Sequence, residues 1–123
     1  KAQNSFMAEK YREAVSRLKF VLQQLDKGSP QFYSAYWFLA ASWKSLLLQP
    51  FESVTSELQQ SPGALEAGLT QAEVDEMLKA YTKYLELQPN APDKKEVETF
   101  LRWVKRNRPP SNVRRWVVAS PPR

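Results

Sequence analysis

A chain of 123 residues, 42% of them hydrophobic, can bury one modest core, and nine prolines against three glycines suit helices joined by stiff turns better than a hairpin-rich β fold. Cysteine and histidine are both absent, which excludes disulfides, thiolate metal sites and the Ser-His or Cys-His nucleophile pairs, so no catalytic residue, metal site or cofactor is expected. The net charge of +5 is unevenly placed: Arg102, Lys105, Arg106, Arg108, Arg114, Arg115 and Arg123 follow one another with no acid among them, while the first 101 residues carry 11 basic and 13 acidic groups.

No stretch approaches 18 uninterrupted apolar residues, so no transmembrane helix is expected. The chain opens on Lys1 with neither an initiator methionine nor a charged-then-apolar leader, as a processed or trimmed fragment would, and its compartment is not legible.

Lys1–Met7 reads as the end of a helix that starts before the first residue. A second helix follows from Ala8 to about Asp26, with Tyr11, Ala14, Val15, Leu18, Val21, Leu22 and Leu25 recurring at three- and four-residue steps. Lys27-Gly28-Ser29-Pro30 ends it with a glycine, a cap serine and a proline suited to a first helical turn. Phe20 points away from the buried stripe, which leaves either a contact with a neighbouring helix or an exposed binding aromatic.

Gln31–Leu48 is the most apolar part of the chain. Tyr36, Leu39, Ala40, Trp43 and Leu47 form one helical stripe, and Trp37 and Phe38 lie off it, as on a helix packed between two layers. Within Pro50–Leu58, Phe51, Val54 and Leu58 have helical spacing, and Ala64–Leu69 has room for a further turn. Thr70-Gln71-Ala72-Glu73 is a capping box that starts a helix near 72–88, with Val74, Met77, Leu78, Tyr81 and Leu85 on its buried side. Its acids Glu73, Asp75 and Glu76 sit at the helix start, where carboxylates complement the macrodipole. After Pro89, Asp93 is the N-cap of a last helix, Lys94–Asn107, with Val97, Phe100, Leu101 and Val104 on one face and Trp103 at its edge. Beyond Arg108-Pro109-Pro110, the segment Arg114–Val118 prefers extended structure and either folds back onto the body or reaches a partner.

The run Ala80-Tyr81-Thr82-Lys83-Tyr84-Leu85-Glu86-Leu87-Gln88-Pro89-Asn90, and after it Lys10-Tyr11-Arg12-Glu13-Ala14-Val15, resembles the second helix of a tetratricopeptide repeat. Three features depart from the family pattern: Met77 stands where the repeat prefers alanine, the turn glycines are missing, and Trp43 and Val74 are 31 positions apart where the repeat allows a handful. The resemblance implies an all-α fold of antiparallel helical hairpins of α-solenoid type, with a terminal capping helix and an extended basic tail. Residues 1–107 would be the helical domain, with an insertion at about 44–71, and residues 108–123 a Pro/Arg-rich tail.

Members of this family generally act as protein-interaction scaffolds whose first helices line a concave groove. On this sequence the groove would carry Ser34, Trp37, Phe38, Ala41 and Lys44, and in the last helix Lys95, Arg102 and Lys105. The family's carboxylate-gripping clamp is poorly matched, because Phe38 stands where an asparagine is needed. The expected function is a non-catalytic scaffold or assembly adaptor holding a partner protein segment with apolar and acidic residues. The alternative is binding of nucleic acid or an anionic surface through Arg114, Arg115 and Trp116 with the rest of the basic C-terminus.

Overall fold

A computed structural model of the chain describes residues 2–52, 63–110 and 113–118. It is predominantly helical. Four helices, α1 (Ala2–Gln24), α2 (Pro30–Glu52), α3 (Gln71–Leu87) and α4 (Lys94–Asn107), are accompanied by two short strands, β1 (Gly63–Glu66) and β2 (Arg115–Val118).

The helix expected to end at Met7 and the one expected from Ala8 are a single element, since no glycine or proline interrupts Ala2–Gln24 and nothing there breaks the backbone ladder. The turn that follows is held by Ser29 N–H donating to the Asp26 carbonyl. Pro30 takes the first helical position, where a missing N–H costs nothing. Ser29 occupies the cap position, but its hydroxyl is buried and makes no hydrogen bond, so that capping expectation is corrected. At Thr70 the capping box is formed in full: Glu73 N–H donates to Thr70 Oγ1 at 3.2 Å, and Glu73 Oε1 accepts from Thr70 N–H at 2.9 Å.

α2 is the central helix, packed against both α1 and α3. Its stripe of Leu39, Ala40, Trp43, Leu46 and Leu47 is buried with Val74, Met77, Ala80, Tyr81 and Tyr84 of α3 and Val97, Phe100 and Val104 of α4. The small side chain of Ala40, with no exposed surface, lets a neighbouring helix approach closely. α1 contributes Val15 to this core, and its Leu18 and Leu22 pack on the edge. Ion pairs tie α1 to α3 as well: Arg12 to Glu73 at 2.6 Å and Lys19 to Glu76 at 3.1 Å. Because the later residue of α1 meets the later residue of α3, these two helices run in the same sense.

The helix α2 does not stop at Leu48 but continues through Pro50. Proline has no N–H to give the carbonyl four residues earlier, so the Leu46 carbonyl loses its helical donor. The chain returning toward α3 settles on this spot. Gly68 N–H donates to the Leu47 carbonyl at 3.4 Å, and a Cβ at Gly68 would collide with the Leu46 carbonyl oxygen. Since that neighbour is backbone and cannot swing aside, Gly68→Ala is expected to destabilise the fold by roughly 2–3 kcal/mol, as overpacking of a filled interior does. A denaturant titration showing wild-type stability would place this loop elsewhere.

Two expectations concern the insertion. The short helix expected over Pro50–Leu58 lies, beyond Glu52, outside the described residues. The turn of helix expected at Ala64–Leu69 does not form: Ala64–Glu66 belong to β1, which pairs antiparallel with β2, with Leu65 opposite Trp116 and Glu66 opposite Arg115. The pairing is extended by Ala67 N–H donating to the Arg114 carbonyl at 2.9 Å.

The segment after Asn107 folds back onto the body. Arg108 bonds Asp75 and Gln71, Gln71 donates to the Val113 carbonyl, and Arg114 pairs with Glu66 at 3.0 Å. Trp116, which the sequence leaves either folded back onto the body or reaching a partner, has no exposed surface. Its ring stacks on Trp103 at 5.5 Å, Trp103 stacks on Phe100 at 6.2 Å, and Phe100 meets Tyr81 edge-on at 5.9 Å. This run of four rings joins β2 to α4 and α3.

Candidate functional site

A cavity of about 320 Å³ opens beside the N-terminal half of α2, lined by Tyr33, Ser34, Trp37, Phe38, Tyr84, Pro92 and Asp93. Helical spacing places Tyr33 and Trp37 on one face, and Ser34 and Phe38 beside them, at steps of four residues. Trp37 and Phe38 form a near-perpendicular corner with ring centroids 5.0 Å apart at 86°. Tyr33 and Tyr84 stack 6.4 Å apart and carry the wall across to α3.

Asp93 closes the cavity. It sits at the cap position of α4, but its side chain makes no capping bond. Instead its Oδ2 accepts from Trp37 Nε1–H and its Oδ1 from the Tyr84 hydroxyl, both at 2.8 Å. The carboxylate thus joins α2, α3 and the start of α4 through one side chain. Burial, and then the bond to Asp93, pushes the Tyr84 hydroxyl up to about 12, so it stays protonated and a donor across the physiological range.

Phe38 stands at the mouth of the cavity with 54% of its surface exposed. It also borders a second, larger cleft of about 540 Å³ between α1 and α2, lined by Lys10, Glu13, Ala14, Arg17, Leu18 and Ser42. Among the described residues of α2, the other large apolar side chains are at least partly covered, so this aromatic stands out between two open depressions.

The groove residues expected from sequence divide into three sets. Ser34, Trp37 and Phe38 come together in the cavity. Ala41 and Lys44, further along α2, are partly buried, and the Lys44 ammonium sits 4.6 Å above the buried Phe100 ring, where it stabilises the α2–α4 packing. Lys95, Arg102 and Lys105 are exposed along α4, with Arg102 bonded to Thr99. Trp37 is half-buried and holds Asp93, so it supports the wall of the cavity as well as facing it. In the C-terminal segment Arg115 is exposed, Arg114 pairs with Glu66, and Trp116 is in the core. Phe20, whose direction the sequence leaves open, is 63% exposed with Val21 beside it, so the contact with a neighbouring helix does not form among the described residues.

Sequence reasoning missed Tyr33, Tyr84, Pro92 and Asp93 as parts of one site. Tyr33 has a local signal, lying four residues before Trp37. Tyr84 and Asp93 read locally as a repeat aromatic and a cap, and the meeting of Asp93 with Trp37 across 56 residues has no local signal.

The three acids at the start of α3 are all engaged: Glu73 by Arg12, Asp75 by Arg108 and Glu76 by Lys19. For Glu73, burial pushes the carboxyl upward, but the Arg12 guanidinium and the Thr70 donors outweigh it and hold it below the ordinary range. Among the described residues, no group of three or more acids, histidines or cysteines is arranged to hold a metal ion. Nor is any described helix long and apolar enough to cross a membrane.

Comparison of the chain with protein-family models, with curated proteins and with solved structures gives no match.

Proposed function

We propose that the chain is a non-catalytic protein-interaction scaffold or assembly adaptor, built on the plan of a tetratricopeptide-like helical array. The cavity walled by Tyr33, Trp37, Phe38 and Tyr84, with a half-exposed phenylalanine at its mouth, carries this reading. Aromatic side chains in partly desolvated pockets dominate binding energy at protein interfaces, and this one lies on the helix that the family register assigns to the groove. The shared sense of α1 and α3 agrees with equivalent helices of successive repeats. Engagement of the α3 carboxylates in ion pairs agrees with a structural role for them. The bound segment would be apolar with acidic residues facing Lys95, Arg102 and Lys105.

A second reading, binding of nucleic acid or an anionic surface, draws on exposed Arg102, Lys105, Arg106 and Arg115 at the acid-free end of the chain. It is the weaker of the two because the aromatics it would use for base stacking, Trp103 and Trp116, stack on each other, and Trp116 is fully buried. Binding of the captured partner, measured from low to moderate salt, separates them. A groove-bound protein segment is expected to weaken only modestly, and Lys95→Glu with Arg102→Glu to lower its affinity with the fold intact. A steep log-linear loss with salt, retained nucleic acid and no effect of the reversals would favour the second reading.

A further inference from the structure

The cavity's chemistry is more specific than its shape, and it names a group that the scaffold would grip. Building on the scaffold reading, we propose that the cavity lined by Tyr33, Trp37, Phe38, Tyr84 and Asp93 is an aromatic cage for an alkylammonium cation, the head of a lysine or methylated lysine side chain on the partner.

Three observations converge on this ligand. First, the walls are largely aromatic. Trp37 and Phe38 pack edge to face at 86° with centroids 5.0 Å apart, the stacked Tyr33–Tyr84 pair carries the aromatic wall onward, and all four rings line the cavity. A cation within about 6 Å of a ring face is drawn to its negative quadrupole. Second, the charged side chain among the described lining residues is an acid, Asp93. Lys94 and Lys95, which follow it, are on the surface and do not line the cavity.

Third, the fold's own use of Asp93 leaves acceptor capacity over. A carboxylate offers about four lone-pair sites, and Trp37 and Tyr84 take one on each oxygen. A neutral apolar guest would strip water from the remainder and return nothing, whereas a cation compensates the desolvated charge. At this one cavity Asp93 therefore favours a cationic side chain over a leucine or phenylalanine, leaving the partner's apolar and acidic residues to the rest of the face. Phe38 adds the outer wall. Its exposed ring stands over the mouth, where it can close on a bound methylammonium group.

The test needs no knowledge of the partner. Choline and its uncharged carbon isostere, 3,3-dimethylbutan-1-ol, have the same shape, so titrating each into the intact chain while following the Trp37 indole N–H resonance isolates the charge. Choline is expected to shift that resonance and to bind about ten- to thirty-fold more tightly than the alcohol, the range set by cation–π attraction in a partly desolvated site. Asp93→Asn, which keeps an amide oxygen to accept a hydrogen bond, and Phe38→Ala, at an exposed ring, are each expected to weaken choline about five-fold or more without abolishing folding. Equal binding of the two compounds, no shift with either, or full choline binding by Phe38→Ala would overturn the cage. If the cage fails while Phe38→Ala still lowers partner affinity, the scaffold reading stands without it. If choline binds as expected but partner affinity ignores Phe38, the cage stands and the scaffold reading falls.

Discussion

Replacing Trp116 by alanine is expected to cost about 3–5 kcal/mol of folding stability, the range for deleting a large buried aromatic. The side chain has no exposed surface and ends the ring run that starts at Tyr81. Its loss would remove one of the two rings stacked on Trp103 and open a void in the core where β2 meets α4. Trp116 is the buried apolar anchor of the C-terminal return. With it gone, the Arg114–Glu66 pair, which is largely solvated, has too little energy to hold the strand alone. Equilibrium denaturation, together with near-ultraviolet circular dichroism as a report on tryptophan packing, checks this. A loss below about 1 kcal/mol would mean that the C-terminal segment is peripheral after all.

The second large effect concerns the α2–α3 seam. Leu39→Ala and Tyr81→Ala are each expected to destabilise by about 2–5 kcal/mol. Leu39 is buried among α2's neighbours, and Tyr81 contacts Phe100 edge-on and is so enclosed that burial raises its hydroxyl above the ordinary tyrosine range. A folded domain holds only about 5–15 kcal/mol in total, so either change removes a large share. Losses under about 0.5 kcal/mol at both positions would show that the helical faces have been assigned to the wrong register.

Much of the fold is legible locally. The stripes of α2, α3 and α4 repeat at helical spacing, and the capping box at Thr70 and the bounds Lys94–Asn107 follow from side-chain chemistry within one or two turns. What escapes local reading is long-range. Ala64–Glu66 has no strong preference of its own, and its extended form comes from β2, some fifty residues away in sequence. Pro50 reads as the start of a separate short helix, yet α2 runs through it, with Gly68 packed close against the Leu46 carbonyl that the proline leaves without its helical donor.

The candidate site follows the same division. Ser34, Trp37 and Phe38 are what the resemblance to the repeat implies for one helix. Asp93 belongs at the head of α4, as its residue type suggests, but its carboxylate performs no local task there and reaches across to Trp37 and Tyr84. Lys44 points to the groove by register and is drawn instead to the Phe100 ring. In both cases a charged side chain found a better partner on another element than the one its own helix suggested.

That distribution of roles decides how the function is best tested. Truncating Trp37 would remove both a wall of the cavity and a donor to Asp93, so lost binding could not be told from lost structure. Phe38 is the cleaner probe, being half-exposed and held by ring contact with Trp37 rather than by core packing. The most direct measurement is the affinity of a captured partner protein for the Phe38→Ala chain, with thermal unfolding followed on the same sample. Affinity is expected to fall by at least about 2 kcal/mol, roughly thirty-fold, with the unfolding midpoint close to that of the unaltered chain. Unchanged affinity in a stably folded Phe38→Ala protein would contradict the assignment of this face as the binding surface.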